Sequence, residues 1–253
     1  MTGLLMALTK AMSKIRRKQI ATTIFDRYAG IVQRGPYRGL KLGSRSNISQ
    51  GPLGLKVLGL YEKPVVSELE RRAPYADLIN LGAADGYMSL GPLHAGFCKR
   101  SVCFELTQRG RDAVAKNAAA NGLQTQIVVR GKADETLSAQ LTALGYDAQK
   151  SVMLCDIEGA EFDVFTTETL QFLYGTPLII ELHDRFLPQG TALRDALIAR
   201  LPTGSSWKIL TSGALVFDGI PDLEQLEDTD RGLVLSEGRK LPGEWLVVDY
   251  PAV

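Results

Sequence analysis

The sequence predicts an α/β fold: a mostly parallel sheet with helices on both faces, preceded by an N-terminal helical and loop extension. Three observations carry this. From residue 62 onward, short apolar runs alternate with segments of helical spacing, as in a sheet covered on both sides. Several apolar runs end in glycine-rich or acidic turns, where open α/β sheets bind their ligands. The first 60 residues read differently, as a leader helix followed by turn residues.

Taken in order, residues 3–8 are apolar and Lys10, Lys14, Arg16, Arg17 and Lys18 follow. A secretory signal carries its positive charge before the apolar stretch. Here the order is reversed, which favours a cytoplasmic protein with a basic amphipathic leader helix. Such a helix packs on its own body, or lies on an anionic membrane surface or a partner. Residues 35–40 (GPYRGL) and 44–54 are rich in turn formers, so residues 1–60 read as an extension packing over a core domain of residues 61–253. Residues 62–72 have helical spacing, and 78–81 form a short buried strand. The turn 82–86 leads into a helix over 87–97 that Gly91-Pro92 must kink or shorten.

Residues 101–105 are a second strand, and 107–120 a helix closed by Asn121-Gly122. A third strand (126–130) precedes a helix around 135–144. A fourth (151–157) precedes a helix from 160 to about 173. A fifth (177–182) precedes a helix over 191–201. Residues 207–210, 214–217 and 245–250 are further strand candidates, suited to antiparallel strands at a sheet edge.

Composition narrows the function classes. A chain of 253 residues, 45% apolar and 23% charged, suits one large globular domain. A net charge of +1 gives no global electrostatic reason to bind nucleic acid. No apolar run reaches the roughly 18 to 20 residues that span a bilayer. Cys98, Cys103 and Cys155 contain no C-x-x-C pair, so they read as buried thiols in a reducing compartment rather than a zinc site.

Five constellations carry chemistry. The turn Gly82-Ala83-Ala84-Asp85-Gly86 follows a strand and opens a helix, with glycines where the backbone must turn tightly or approach a ligand. A dinucleotide loop would read G-x-G-x-x-G. Ala84 and the acid Asp85 fit a pyrophosphate poorly, and fit better a ligand bearing an ammonium, such as the methionine part of S-adenosylmethionine. Glu105 ends the second strand 23 positions after Gly82, the spacing of an acid that receives ribose hydroxyls. Ala133 and Asp134 follow the third strand, where an adenine would lie; Asp134 is equally a helix cap. Asp156, Glu158 and Glu161 surround Gly159 after the fourth strand. They suit sugar hydroxyls, a divalent metal or the methyl donor, and strand alternation would point Asp156 and Glu158 to one side. Glu158 and Glu161 could meet over the turn, or cap the helix. His183 lies beside two acids at the end of the fifth strand and suits a general base. His94, on an early helix, reads as structural.

Together these segments resemble the FkbM-type methyltransferases: INLGAADGYMSL (79–90), FEL (104–106) with NAAANG (117–122), CDIEGAEFDVF (155–165) and PLIIELHD (177–184). The resemblance covers about residues 75–185 and is most specific at Asp-x-Glu-Gly-x-Glu. It implies a Rossmann-like methyltransferase fold with a seven-stranded sheet, S-adenosylmethionine as donor, and O-methylation, often of sugars in glycans or natural products. By motif, Gly82, Ala83, Asp85 and Gly86 would line the donor's methionine and ribose. Glu105 would hold the ribose with Leu106 beside it, and Ala133 and Asp134 would flank the adenine. Asp156 and Glu158 would sit near the transferred methyl, and Glu62 would be a further candidate for the donor's amino group.

The expected chemistry is direct in-line transfer to a small-molecule or glycan hydroxyl, with His183 as first candidate for the base, then Asp156 or Glu158. A divalent metal held by these acids is left open. The rivals are a nicotinamide oxidoreductase, disfavoured by Ala84 and Asp85, and a non-catalytic Rossmann-like binding module. A nucleic-acid methyltransferase is disfavoured by the missing basic, aromatic surface and by Asp156-Ile157-Glu158-Gly159 where base-modifying relatives carry Asn/Asp-Pro-Pro-Tyr.

Overall fold

The computed structural model describes residues 2–43, 52–213, 215 and 217–251, with the backbone alone for 2–4. The chain runs α1 (Thr2–Arg27), α2 (Leu53–Leu58), α3 (Lys63–Arg71), β1 (Tyr75–Leu81), α4 (Tyr87–His94), β2 (Cys98–Phe104), α5 (Gln108–Asn121), β3 (Ile127–Arg130) and α6 (Leu137–Ala143). It continues β4 (Ser151–Cys155), α7 (Glu161–Val164), α8 (Thr167–Phe172), β5 (Leu178–Glu181), α9 (Gly190–Ala199), β6 (Ser206–Thr211), α10 (Pro221–Glu224), α11 (Asp228–Leu235) and β7 (Glu244–Asp249).

One seven-stranded sheet has the order β3-β2-β1-β4-β5-β7-β6. The first five strands are parallel, and β7 is antiparallel to both β5 and β6. β4 is buried throughout and β1 nearly so, because helices cover both faces and leave no polar side to alternate with. Register decides what the carboxyl edge carries. Leu81 pairs with Phe104 on one side and Cys155 on the other, so Gly82, Glu105 and Asp156 follow at one level. Cys155 pairs with Ile180, which brings Glu181 to the same rim.

The segment before residue 61 shares its core with the sheet. Ile24, Tyr37, Leu40 and Leu55 pack in one cluster with Leu78, Tyr87 and Trp245. The Tyr37 ring lies edge-on to Tyr87 at 5.4 Å and tilted against Phe97 at 6.1 Å. Gly91 makes this possible: a Cβ there would stand 2.3 Å from the Tyr37 ring. Among the described residues no helix is long and apolar enough to cross a membrane.

The elements differ from expectation in a few places. The helix expected over 160–173 is two, because Thr166 turns extended and its side chain accepts from Thr169 N to start α8 afresh. The fourth strand stops at Cys155, and residues 156–160 form the turn that carries the acids. α2, α10 and α11 were not expected. Of the strand expected at 214–217, Ala214 and Val216 lie outside the described residues, while Leu215 and Phe217 lie outside any strand and pack on the core. Residues 44–51 of the turn-rich stretch also lie outside the described residues.

Gly82 fixes the junction of β1 with the turn. Its φ is +88°, and a Cβ there would fall 1.7 Å from the Asp156 carbonyl oxygen. Gly82→Ala should therefore destabilise the protein by at least about 3 kcal/mol, since it adds left-handed strain to a backbone clash; urea unfolding monitored by circular dichroism would measure it.

Candidate active site

At the carboxyl edge the turn after β1 is tacked onto β2. Gly82 N and Ala83 N both donate to the Phe104 carbonyl, at 2.9 and 3.0 Å. Ala84, at φ +49°, donates its N–H to Glu105 Oε2 at 2.9 Å. The other oxygen of Glu105 accepts from Thr107 N (2.8 Å) and Thr107 Oγ1 (2.6 Å), so one carboxylate joins the turn to the start of α5. Gly110 leaves room for it: a Cβ there would come within 2.5 Å of Glu105 Cγ. Leu106 is 68% exposed on the rim. Asp85 lies in the lining, but its carboxylate meets Lys56 Nζ at 2.5 Å and accepts from Tyr87 N. Both members of that ion pair are buried. The expected ammonium partner is therefore already matched by a lysine from α2. Gly86 starts α4 in the left-handed region, with Leu90 and Val114 packed against it.

Beside the turn lies a group of acids around a single guanidinium. Arg239, in the segment between α11 and β7, bonds Glu62 at 2.6 Å, Glu237 at 2.7 Å and Glu181, and lies over the Trp245 ring. Glu62 sits at the N-terminus of α3, with a φ of +45°, and its own N–H donates to Glu237. Burial, reinforced by Glu181 and opposed by Arg239, pushes the Glu62 carboxyl up to about 7. Burial and the charges of Glu181 and Glu62 likewise hold Asp156 well above the ordinary carboxylate range, against the opposing pull of His183. Asp156 Oδ1 is buried without a hydrogen-bond partner.

The third part is His183. Glu161, wholly buried, accepts from His183 N at 2.8 Å, approaches His183 Nδ1 at 3.2 Å, and accepts from Gly159 N at 2.8 Å through its second oxygen. This leaves Nε2 aimed at the cleft, 3.6 Å from Asp156 Oδ1 and 3.5 Å from Glu158 Oε2. Burial alone would lower the imidazole pKa, but the Glu161 bond and the charges of Glu161, Asp156 and Glu181 outweigh it and raise it to about 9. The expectation that Asp156 and Glu158 face one side holds through the turn rather than strand alternation: Glu158 has a φ of +54° and an 86% exposed side chain. Glu161 does not meet Glu158 over the turn; it points inward to hold the histidine. Asp184 pairs with Arg194. His94 lies 3.0 Å from the Arg38 carbonyl through Nε2, and Gly39 packs against its ring.

The adenine-side candidates sit further along the same edge. Ala133 is buried against the sheet. The Asp134 carboxylate accepts from Thr136 N and Oγ1 just before α6, and these bonds hold it below its ordinary pKa. Two hollows open at the edge. The inner one is narrow and lined by Tyr61, Glu62, Gly82, Ala83, Tyr87 and Met88. The outer cleft, about 420 Å³, is lined by His183, Phe186, Leu187 and residues 237–243. Tyr61 and Asp156 border both.

Among the described residues two sets of side chains could hold a cation: Asp156, Glu158 and His183, and Glu62, Asp156 and Glu181, with ligand atoms in each within 4.8 Å of one another. A histidine whose second nitrogen is anchored by a carboxylate is the usual support for a metal ligand, and equally for a base of fixed tautomer. Sequence reasoning missed Lys56, Glu237 and Arg239 and gave Glu181 no role. A lysine among apolar residues 53–58 was the available sign for Lys56; Arg239 lies in a loop with no pattern to mark it.

No protein-family model matches the chain, and no curated protein matches it. Solved structures do. An O-methyltransferase from Bacillus cereus, solved with SAH, is 14% identical over 92% of this chain and 91% of that one, with a TM-score of 0.50. The O-methyltransferase TomG of Streptomyces achromogenes, solved with SAM, is 13% identical over 93% of this chain and 90% of that one, also at 0.50. The m1A22 tRNA methyltransferase TrmK of Bacillus subtilis is 12% identical over 75% of this chain and 66% of that one, at 0.46. The seven-stranded, mostly parallel sheet is that of the Rossmann-like fold shared with the two O-methyltransferases.

The Lys56–Asp85 pair is a buried charge pair that fails when halved. Lys56→Met should cost about 3–5 kcal/mol because it strands Asp85, whereas the double variant with Asp85→Asn should recover most of that; a double-mutant cycle in guanidinium would measure the coupling.

Proposed function

We propose that this protein is a methyltransferase of the FkbM type that uses S-adenosylmethionine to methylate a hydroxyl of a sugar, glycan or small natural product. The observation that carries this reading is the acid-lined hollow beneath the Gly82 turn, where Asp156 keeps a buried oxygen without a hydrogen-bond partner. Such a hollow suits a ligand with positive charge at its centre, as a sulfonium carries, and offers nothing to a pyrophosphate. Gly82, Ala83 and Gly86 would border the donor, Glu105 and Leu106 its ribose side, and Ala133 and Asp134 its adenine side. Glu62 and Asp156 would face its cationic part, and Asp85 would act through its Lys56 pair by holding the turn. When bound, the donor supplies an activated methyl group.

The chain's own residues do the rest. Glu161 holds the imidazole so that Nε2 faces the cleft where an acceptor hydroxyl would enter. Neutral His183 can take the hydroxyl proton there, with Asp156 and Glu158 beside it to stabilise the imidazolium that results. A positive ligand next to His183 would favour loss of its proton, readying the base only once the donor is in place. Phe186 and Leu187 give the acceptor an apolar wall. The acids of the cleft disfavour a polyanionic acceptor, which supports the glycan or small-molecule class over a nucleic acid. The buried thiols support a cytoplasmic site of action.

Calorimetric titration with S-adenosylhomocysteine should show binding that Glu105→Ala weakens at least about tenfold, a loss of about 1.4 kcal/mol, with no binding of NADH. NADH binding in place of the homocysteine compound would overturn the methyltransferase reading.

With an acceptor in hand and donor at saturation, kcat/KM should rise with pH while His183 loses its proton, because only the neutral ring accepts one, and level off at or below about 9, since a bound cation draws that value down. His183→Asn should remove that limb and cost about 10²–10⁴ in rate. If chelation by EDTA stopped the reaction and Mg²⁺ restored it, His183, Asp156 and Glu158 would be ligands instead.

A further inference from the structure

We propose that the first four turns of α1 form a docking surface for an anionic lipid bilayer. Leu5, Leu8, Met12 and Ile15 recur at i, i+3, i+7 and i+10, which places them in one stripe of the helix. Each of the four is more than half exposed. The stripe is not an unfinished packing face. The residues by which α1 meets the body, Ile20, Ala21 and Ile24 with half-buried Ser13 and Arg17, lie around the opposite side of the helix. That side contacts α2 and α11.

Charge selects the occupant. The chain carries no acid before Asp26, while Lys10, Lys14, Arg16, Arg17 and Lys18 fall within three turns. Arg16 is bound to Asp230 on α11, which clamps the helix to the body. Lys10, Lys14 and Lys18 are exposed. Lys18 borders the apolar stripe, and Lys10 and Lys14 stand on the polar side of the helix; a helix with an apolar stripe, a cationic polar side and no acid of its own lies in the plane of an anionic membrane, with the stripe among the acyl chains and the lysines on the headgroup and water side. A second copy of the same helix would instead bring Lys10, Lys14 and Lys18 onto their like, unfavourable because the exposed part of the helix carries no acid to answer them.

The helix also touches the cleft, through its body-facing side. Arg17 packs so closely on Gly238 that a Cβ there would fall 2.2 Å from its guanidinium, and Gly238 precedes the Arg239 that gathers Glu62, Glu181 and Glu237. A bilayer holding α1 would therefore hold the wall of the outer cleft.

The test is flotation of the full chain with vesicles, which needs no methyl transfer and so stands or falls apart from the proposed activity. Phosphatidylcholine vesicles containing phosphatidylserine should carry the protein, pure phosphatidylcholine vesicles should not, and raised salt should release it. Leu8→Glu with Met12→Glu should reduce binding at least about tenfold. Its thermal unfolding should be unchanged, since both residues face away from the body. Lys10→Glu with Lys14→Glu should also reduce binding to the anionic vesicles. Failure to bind any vesicle would overturn the proposal, as would equal binding to both kinds. So would self-association in sedimentation that Leu8→Glu with Met12→Glu abolishes, because the stripe would then be a contact between copies.

Discussion

Much of the site depends on one guanidinium. Arg239 gathers Glu62 from the start of α3, Glu181 from the end of β5 and Glu237 from its own segment. These are parts of the chain that share no local structure. Without a central cation, three buried carboxylates and the neighbouring Asp156 would repel one another or take up protons. With it they form a fixed wall that still carries excess negative charge. Burial, together with the like charge of neighbouring acids that Arg239 only partly offsets, pushes the Glu62 carboxyl up to about 7, and burial with the charges of Glu181 and Glu62 raises Asp156. The edge of the sheet is in that sense poised for a positively charged visitor.

Glu161 plays a similar part on the other side. It lies beneath a turn that strand periodicity does not describe, and its two oxygens bind Gly159 N and the backbone and ring of His183. The histidine's orientation is thereby set by a residue 22 positions earlier in the chain.

The parallel strands, their order of appearance and the turns after them were legible because apolar runs bounded by glycine or acid are local patterns. Gly82, Glu105, Asp156 and His183 could be placed on one edge from the strand ends alone. What the sequence hid is long-range. The Lys56–Asp85 pair joins residues 29 apart, and Arg239 meets Glu62 across 177. Neither pairing follows from periodicity, and Asp85 looked available for a ligand because its partner lies in a helix the pattern did not mark. Glu161 was read as a helix-capping acid or a neighbour of Glu158, and burial turned it to the histidine instead. The break between α7 and α8 was missed for a simpler reason: Thr166 is a competent cap, but the apolar spacing around it runs on without interruption.

The order of strands has a consequence for assembly. β7 is the last of the seven strands in sequence yet lies inside the sheet, between β5 and β6. During synthesis the chain can lay down β1 to β5 as each appears, but β5 keeps an open edge and β6 has no neighbour until residues 244–249 have left the ribosome. Trp245 and Arg239 arrive in the same stretch. The nascent protein thus carries an unpaired strand edge and an uncompensated group of acids until residues 237–249 are made, and that one stretch closes both.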